Sequence, residues 1–345
     1  MRRSCWVVAV AIYLLSAPLL RADPPVLAER TQSAALERSL AAAEERLGPA
    51  NPNLLPILAP LAQLRFEDAD IAGAIALRRR SLKIAVAAYG SSSPPAAEAT
   101  AALARLYIAL RRYLDAEPLA IAAGDVLTAE LGAENPAMAA VLADRARIAL
   151  ARGKTGRALK WAEAAVAIDA RAGEAPHSDR LRVLGAVLVG EGRFAAGEDA
   201  LRRALALDRA SGDRLATARS LAQLANAYIR QKRFAEALPP IEEATLIDQQ
   251  QLGAGHPLIA EDFHTLGLIF LATGRAADAA MAFRTAIGGL DRSGGETPTL
   301  AYIELDLARA EHALGHEDKA QSLFKDARHI LNAAADEEHK RERRT

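Results

Sequence analysis

Most of what would equip this chain for covalent, redox or metal chemistry is scarce in it. It has one cysteine, Cys5, in 345 residues, so it can form no internal disulfide and no cysteine cluster can hold a metal. Aromatic residues make up 4%, too few for a core built on large rings. Neither sign of charge is in excess, with 43 basic and 43 acidic side chains. That balance excludes the basic footprint of a nucleic-acid-binding chain. Runs of β-branched residues are few, which argues against a sheet.

What is abundant points one way. Hydrophobic residues are 51% of the chain, supplied mostly by alanine and leucine, which lose little or no side-chain entropy in a helix. The first segment differs from the rest. Arg2 and Arg3 precede an apolar run, Cys5 to Leu20, which is followed by Arg21, Ala22 and Asp23-Pro24-Pro25. This is the layout of a secretory signal peptide over residues 1–22, cut after Ala22. The alternative is that residues 5–20 stay as a membrane anchor, although such a run is short for a relaxed span. Cleavage removes the only cysteine and three arginines, leaving 40 basic and 43 acidic residues. The expected location is periplasmic or secreted, with membrane contact only if the segment is retained.

Periodicity is the strongest signal. Gly48, Gly90, Gly132, Gly173, Gly212, Gly253 and Gly294 recur at gaps of 39 to 42 residues. Prolines follow closely at Pro52, Pro94, Pro136, Pro176, Pro257 and Pro298. Glycine accepts the left-handed backbone that ends a helix, and proline suits the first turn of the next. A second break divides each unit, as at Arg111-Arg112, Gly153-Lys154 and Gly274-Arg275. A fixed period of this length in a helical composition predicts about seven helix-turn-helix units stacked as an all-α solenoid. Small residues stand where paired helices must approach, at Ala104, Ala146, Gly185, Ala225, Gly267 and Ala308 on the first helix. On the second they are Ala116, Ala158, Gly197, Ala237, Ala279 and Ala320. Residues 23–47 read as a capping helix, 48–335 as the array and 336–345 as a charged tail expected to be disordered.

These residues carry a resemblance. Phe263-x-x-Leu266-Gly267-x-x-Phe270 with Ala279 and Phe283, and Leu221-x-x-Leu224-Ala225-x-x-Tyr228 with Phe234 and Ala237, resemble the tetratricopeptide repeat. The period near 42 and the Leu252-Gly253-x-x-His256-Pro257 linker resemble its long-helix, kinesin-light-chain-like variety. Some units depart from the pattern: Arg65 stands where Tyr107 stands in the next repeat, and Ser81, Arg145, Glu304 and Glu311 occupy small or apolar sites. The resemblance implies a right-handed superhelix whose first helices line a concave groove, and it implies groove positions. These are Gln63, Arg105, Arg147, Arg182, Arg219, Asn226, Arg230, His264, Arg309 and His312. Arginine forks and amide side chains there suit a carboxylate or a peptide backbone. The expected partner is thus a protein or peptide with an acidic or C-terminal carboxylate segment.

Catalytic constellations are missing from the pattern. Gly153-Lys154-Thr155 lacks the earlier glycine of a phosphate loop, having Ile148 there, and no strand precedes it. His312 and His316 are four apart, as are many metal pairs, but no third ligand follows by spacing. Glu261 and His264 share a helix face and read as binding surface. Trp161 reads as packing. The expectation is a scaffold that uses no cofactor and performs no chemistry, with a metal-dependent enzyme as the distant alternative.

Overall fold

The computed structural model describes residues 24–173, 177–253, 256–291 and 298–342, and every regular element among them is helical. The expected leader, residues 1–22, lies outside the described residues. Helix α1 (Pro24–Leu47) and a 3₁₀ turn (Pro52–Leu54) come first. Seven helix pairs follow. They are α2 (Leu55–Glu67) with α3 (Ile71–Tyr89), α4 (Pro94–Ala109) with α5 (Tyr113–Leu131), α6 (Pro136–Ala151) with α7 (Thr155–Arg171), and α8 (Ser178–Gly190) with α9 (Phe194–Ser211). Then come α10 (Arg214–Arg230) with α11 (Phe234–Leu252), α12 (Pro257–Ala272) with α13 (Ala276–Asp291), and α14 (Pro298–Ala313) with α15 (Glu317–Glu342). The last helix runs on to Glu342 and so covers much of the segment expected to be disordered.

Local chemistry sets these boundaries. Asn51 and Asn135 cap the helices that follow them, accepting from the backbone N–H of Asn53 at 2.9 Å and Ala137 at 3.0 Å. Asp213 does the same for Ala216 at 2.8 Å. The turn inside each unit passes through a left-handed residue: Gly153, Gly192, Gly274 and Gly315 in four units, but Ala69, Arg111 and Lys232 in three. The next residue is often an arginine lying over the aromatic ring that ends the first helix. Arg112 lies over Tyr107, Arg233 over Tyr228 and Arg275 over Phe270, at 4.7, 4.5 and 4.2 Å.

Packing follows the small residues. Ala104, Ala146, Ala225 and Ala308 are fully buried, as are Ala116, Ala158, Ala237 and Ala279. Gly185 and Gly197 face each other so closely that a Cβ on either would stand within about 3 Å of the other's carbonyl oxygen. The residues that depart from the repeat pattern find partners. Arg65 binds Glu37 of the capping helix, Arg145 stacks over Trp161 at 4.5 Å, and buried Glu311 is held by Arg284 and by His316.

A repeat stack is expected to make contacts only between neighbours. This one also closes on itself. At the start of α12, His256 Nε2 lies 2.8 Å from the carbonyl oxygen of Phe66 at the end of α2. Leu258 packs against the cluster of Phe66, Ala74 and Leu106. Arg111, in the turn after α4, donates to both carboxylate oxygens of Glu261 at 2.5 and 2.7 Å. The sixth unit therefore rests on the first two, and the first helices face an enclosed interior.

Candidate functional site

The interior is lined by charge, and most of that charge is paired. Asp144 of α6, 2% exposed, takes Arg105 from the preceding unit at 3.2 Å and Arg147 from its own helix at 2.7 Å. Arg147 reaches on to Asp179 of α8, which also binds Arg182. Arg182, 8% exposed, continues to Asp208 and Ser220, each at 3.3 Å. One chain of hydrogen bonds thus crosses units two to five. Burial works to raise the Asp179 carboxyl, but Arg147 and Arg182 outweigh it and hold the group well below the usual range. At Asp144 burial wins, and its titration moves up in spite of Arg147 and Arg105. Burial pushes the Arg182 guanidinium down.

The expected groove residues therefore divide into two sets. Gln63 donates to Glu67 on its own helix at 2.7 Å. Arg147 and Arg182 are committed to the aspartates, His264 meets Asp306 at 2.8 Å, and Arg309 meets the same Asp306 at 2.8 Å. His312 pairs with Glu317 and His316 with Glu311, each at 2.7 Å, so the two imidazoles are turned to different acids. Arg219, Asn226 and Arg230 remain. All three are exposed on α10, spaced so that they lie on one face, and no acid within 4 Å pairs with either arginine among the described residues. Arg219 feels Asp179, Glu67 and Asp248 from several units at longer range. Sequence reasoning did not pair the other arginines with the acids that claim them. Their signal was present, since Asp144, Asp179 and Asp306 each stand three residues before an arginine on the same helix.

A second feature lies between α11 and α12. Asp248 and Asp262, 6% and 4% exposed, face each other, and one oxygen of Asp262 has no partner. Burial, with Glu261 nearby and Arg219 opposing, pushes Asp248 up to about 6. Burial and the neighbouring Asp248 push Asp262 up as well. Each carboxylate works against the ionisation of the other. No group of three His, Cys, Asp or Glu among the described residues is placed to hold a metal ion. An open cleft of about 560 Å³ lined by Glu304, Lys325 and Arg328 lies in the last unit, away from this interior.

Residues 180–247 match the sequence profile of the tetratricopeptide repeat. No curated protein matches the chain. Among solved structures, a Rap protein complexed with Competence and Sporulation Factor is 11% identical, with a TM-score of 0.53 over 83% of this chain and 99% of that one. The apo form of the quorum sensor NprR from B. thuringiensis is 12% identical, with a TM-score of 0.53 over 76% of each chain. A putative kinesin light chain from Podosopora anserina with nearly identical TPR-like repeats is 22% identical over 70% of this chain and 98% of that chain, with a TM-score of 0.30. At these identities the likeness is one of fold.

The carboxylate pair makes a pH prediction. The folded pKa of Asp248 is raised, so its contribution is full below the unfolded value and is lost as pH climbs through about 6. Asp248→Asn removes that loss. Thermal unfolding should show the variant more stable than the parent at pH 8 by about 1–3 kcal/mol and nearly equal to it at pH 4. An equal difference at both pH values would mean that Asp248 is ionised throughout.

Proposed function

We propose, on the premise that the chain is a tetratricopeptide-repeat solenoid, that it is a scaffold which binds a peptide segment of a partner protein along its concave face. The observation that carries this reading is the inner face of α10. Arg219, Asn226 and Arg230 are exposed there without acidic partners, while the arginines around them are already satisfied. A guanidinium fork that lacks an acceptor recognises a carboxylate, and an amide beside it can pair with peptide N–H and C=O groups. The segment bound is acidic or ends in a C-terminal carboxylate. Two of the similar folds are a Rap protein complexed with Competence and Sporulation Factor and a quorum sensor, in keeping with a binding role. The role proposed is binding, since the acids of the network across units two to five are engaged by arginines.

The partner is sought by affinity capture from an envelope fraction and its binding is then titrated. Reversing Arg219 and Arg230 to Glu should weaken binding about tenfold, a change of about 1.4 kcal/mol, and affinity should fall as salt rises. The same reversal at Arg193 and Arg203, loosely paired on the outer side at 3.8 Å, should leave affinity unchanged. Equal loss in both double variants, or indifference to salt, would remove the charged-groove reading in favour of an apolar contact.

The chain is also proposed to act outside the cytoplasm, on the layout of residues 1–22. No helix among the described residues is long and apolar enough to cross a membrane. Intact mass of the protein recovered from cells should begin at Asp23. A mass that includes residues 5–20 would instead support a membrane-tethered assembly factor.

A further inference from the structure

We infer that His256 is the pivot of a clasp that holds one turn of the solenoid shut and that an added proton opens. The clasp joins residues 190 apart in sequence. His256 stands where other units carry the capping residues Asn51 and Asn135, and it caps in the same way, its Nδ1 accepting from the N–H of Leu258 at 3.1 Å. An asparagine would complete that cap and reach no further. The imidazole extends beyond it, so Nε2 donates to the Phe66 carbonyl at 2.8 Å while the ring lies edge-on against Phe66, 5.3 Å between centroids. Both nitrogens are thus assigned by their partners, and only the neutral ring satisfies them together.

Arg111 gives independent support. It holds φ at 55°, as Ala69 and Lys232 hold 60° and 59° at the same place in two other units, in a turn where the remaining four place glycine. A side chain at that position is unfavourable for the backbone, yet this one spans to Glu261 and forms the second bond of the clasp. The strained residue and the histidine act on the same joint from opposite sides.

Protonation would put a hydrogen on Nδ1, facing the Leu258 N–H, and a charge on a ring that is 1% exposed. Burial accordingly holds His256 below its ordinary value despite the Phe66 carbonyl. Closure is therefore full above the unfolded histidine value near 6.5 and weakens as pH falls below it. The other charged groups at the joint do not mimic this. Glu67 on α2 and the Asp248–Asp262 pair are displaced upward by burial, so acid favours the folded form at each. Glu261 is held down by Arg111 against the effect of burial, and its loss comes at lower pH. Arg65 and Asp70 pair with each other at 3.5 Å, Asp213 caps α10, and His264 is turned toward Asp306. Of the groups displaced by the joint, His256 is the one whose protonation opposes closure between about pH 6.5 and 5.

The test is hydrogen exchange of the full chain, read on the segments that contain Phe66 and Leu258 and corrected for the intrinsic effect of pH. Exchange there should quicken about tenfold between pH 7.5 and 5.5, while helices outside the joint keep their protection. His256→Gln keeps one donor and one acceptor and cannot ionise, so its joint should stay protected at both pH values. Arg111→Gly relieves the turn but removes the bond to Glu261, and its joint should open at a higher pH than the parent's. Circular dichroism confirms that each variant is folded. Unchanged protection of the parent at pH 5.5, opening of His256→Gln at the parent's pH, or an Arg111→Gly midpoint equal to the parent's would each overturn the proposal.

Discussion

Two helices can lie close together only where neither presents a large side chain, and that constraint recurs in every unit of this chain. Alanine or glycine meets alanine or glycine at the crossing of each pair, from Ala104 against Ala116 to Ala308 against Ala320. At Gly185 and Gly197 the backbones approach until no Cβ fits between them. The same spacing repeated in seven pairs gives the same small rotation each time, and rotations add along a solenoid. Here they add up to a full turn by the sixth unit, which comes to rest on the first two.

Closure changes what the concave face can be. In an open array, a row of arginines facing inward is a solvated surface, and each exposed ion pair would contribute about 0–1 kcal/mol. Stacking of adjacent units already departs from that picture: Arg182 is a buried cation between Asp179 and Asp208, of a kind whose removal costs about 3–5 kcal/mol because the acids are left behind. The charged network of units two to five is therefore part of the framework. Among the described residues it leaves Arg219, Asn226 and Arg230 of α10 exposed, with neither arginine in an ion pair.

Much of the fold was legible because its determinants are local. Glycine and proline mark each boundary, and small residues mark each crossing at a spacing that can be counted. That Arg219, Asn226 and Arg230 share one helix face follows from their spacing. The pairs three residues apart on one helix, such as Asp144 with Arg147, stand in the sequence. What could not be read was the bond across units, since Arg147 reaches Asp179 only because the stack brings their helices together. The role of His256 was hidden for a stronger reason. Its local position shows an ordinary cap, equivalent to Asn51 and Asn135, and the carbonyl it bonds belongs to a residue 190 places earlier. No periodicity within the chain encodes where a turn will close, since that depends on the sum of many small rotations.

The most direct measurement is a nuclear Overhauser contact between the ring of Phe66 and the ring of His256 or the methyls of Leu258, in selectively labelled protein at neutral pH. Ring centroids 5.3 Å apart place their edge protons within range, and a closed turn gives the cross-peaks. Their absence from a chain whose helices are intact would mean that the solenoid is open, and the enclosed interior would have to be abandoned with it.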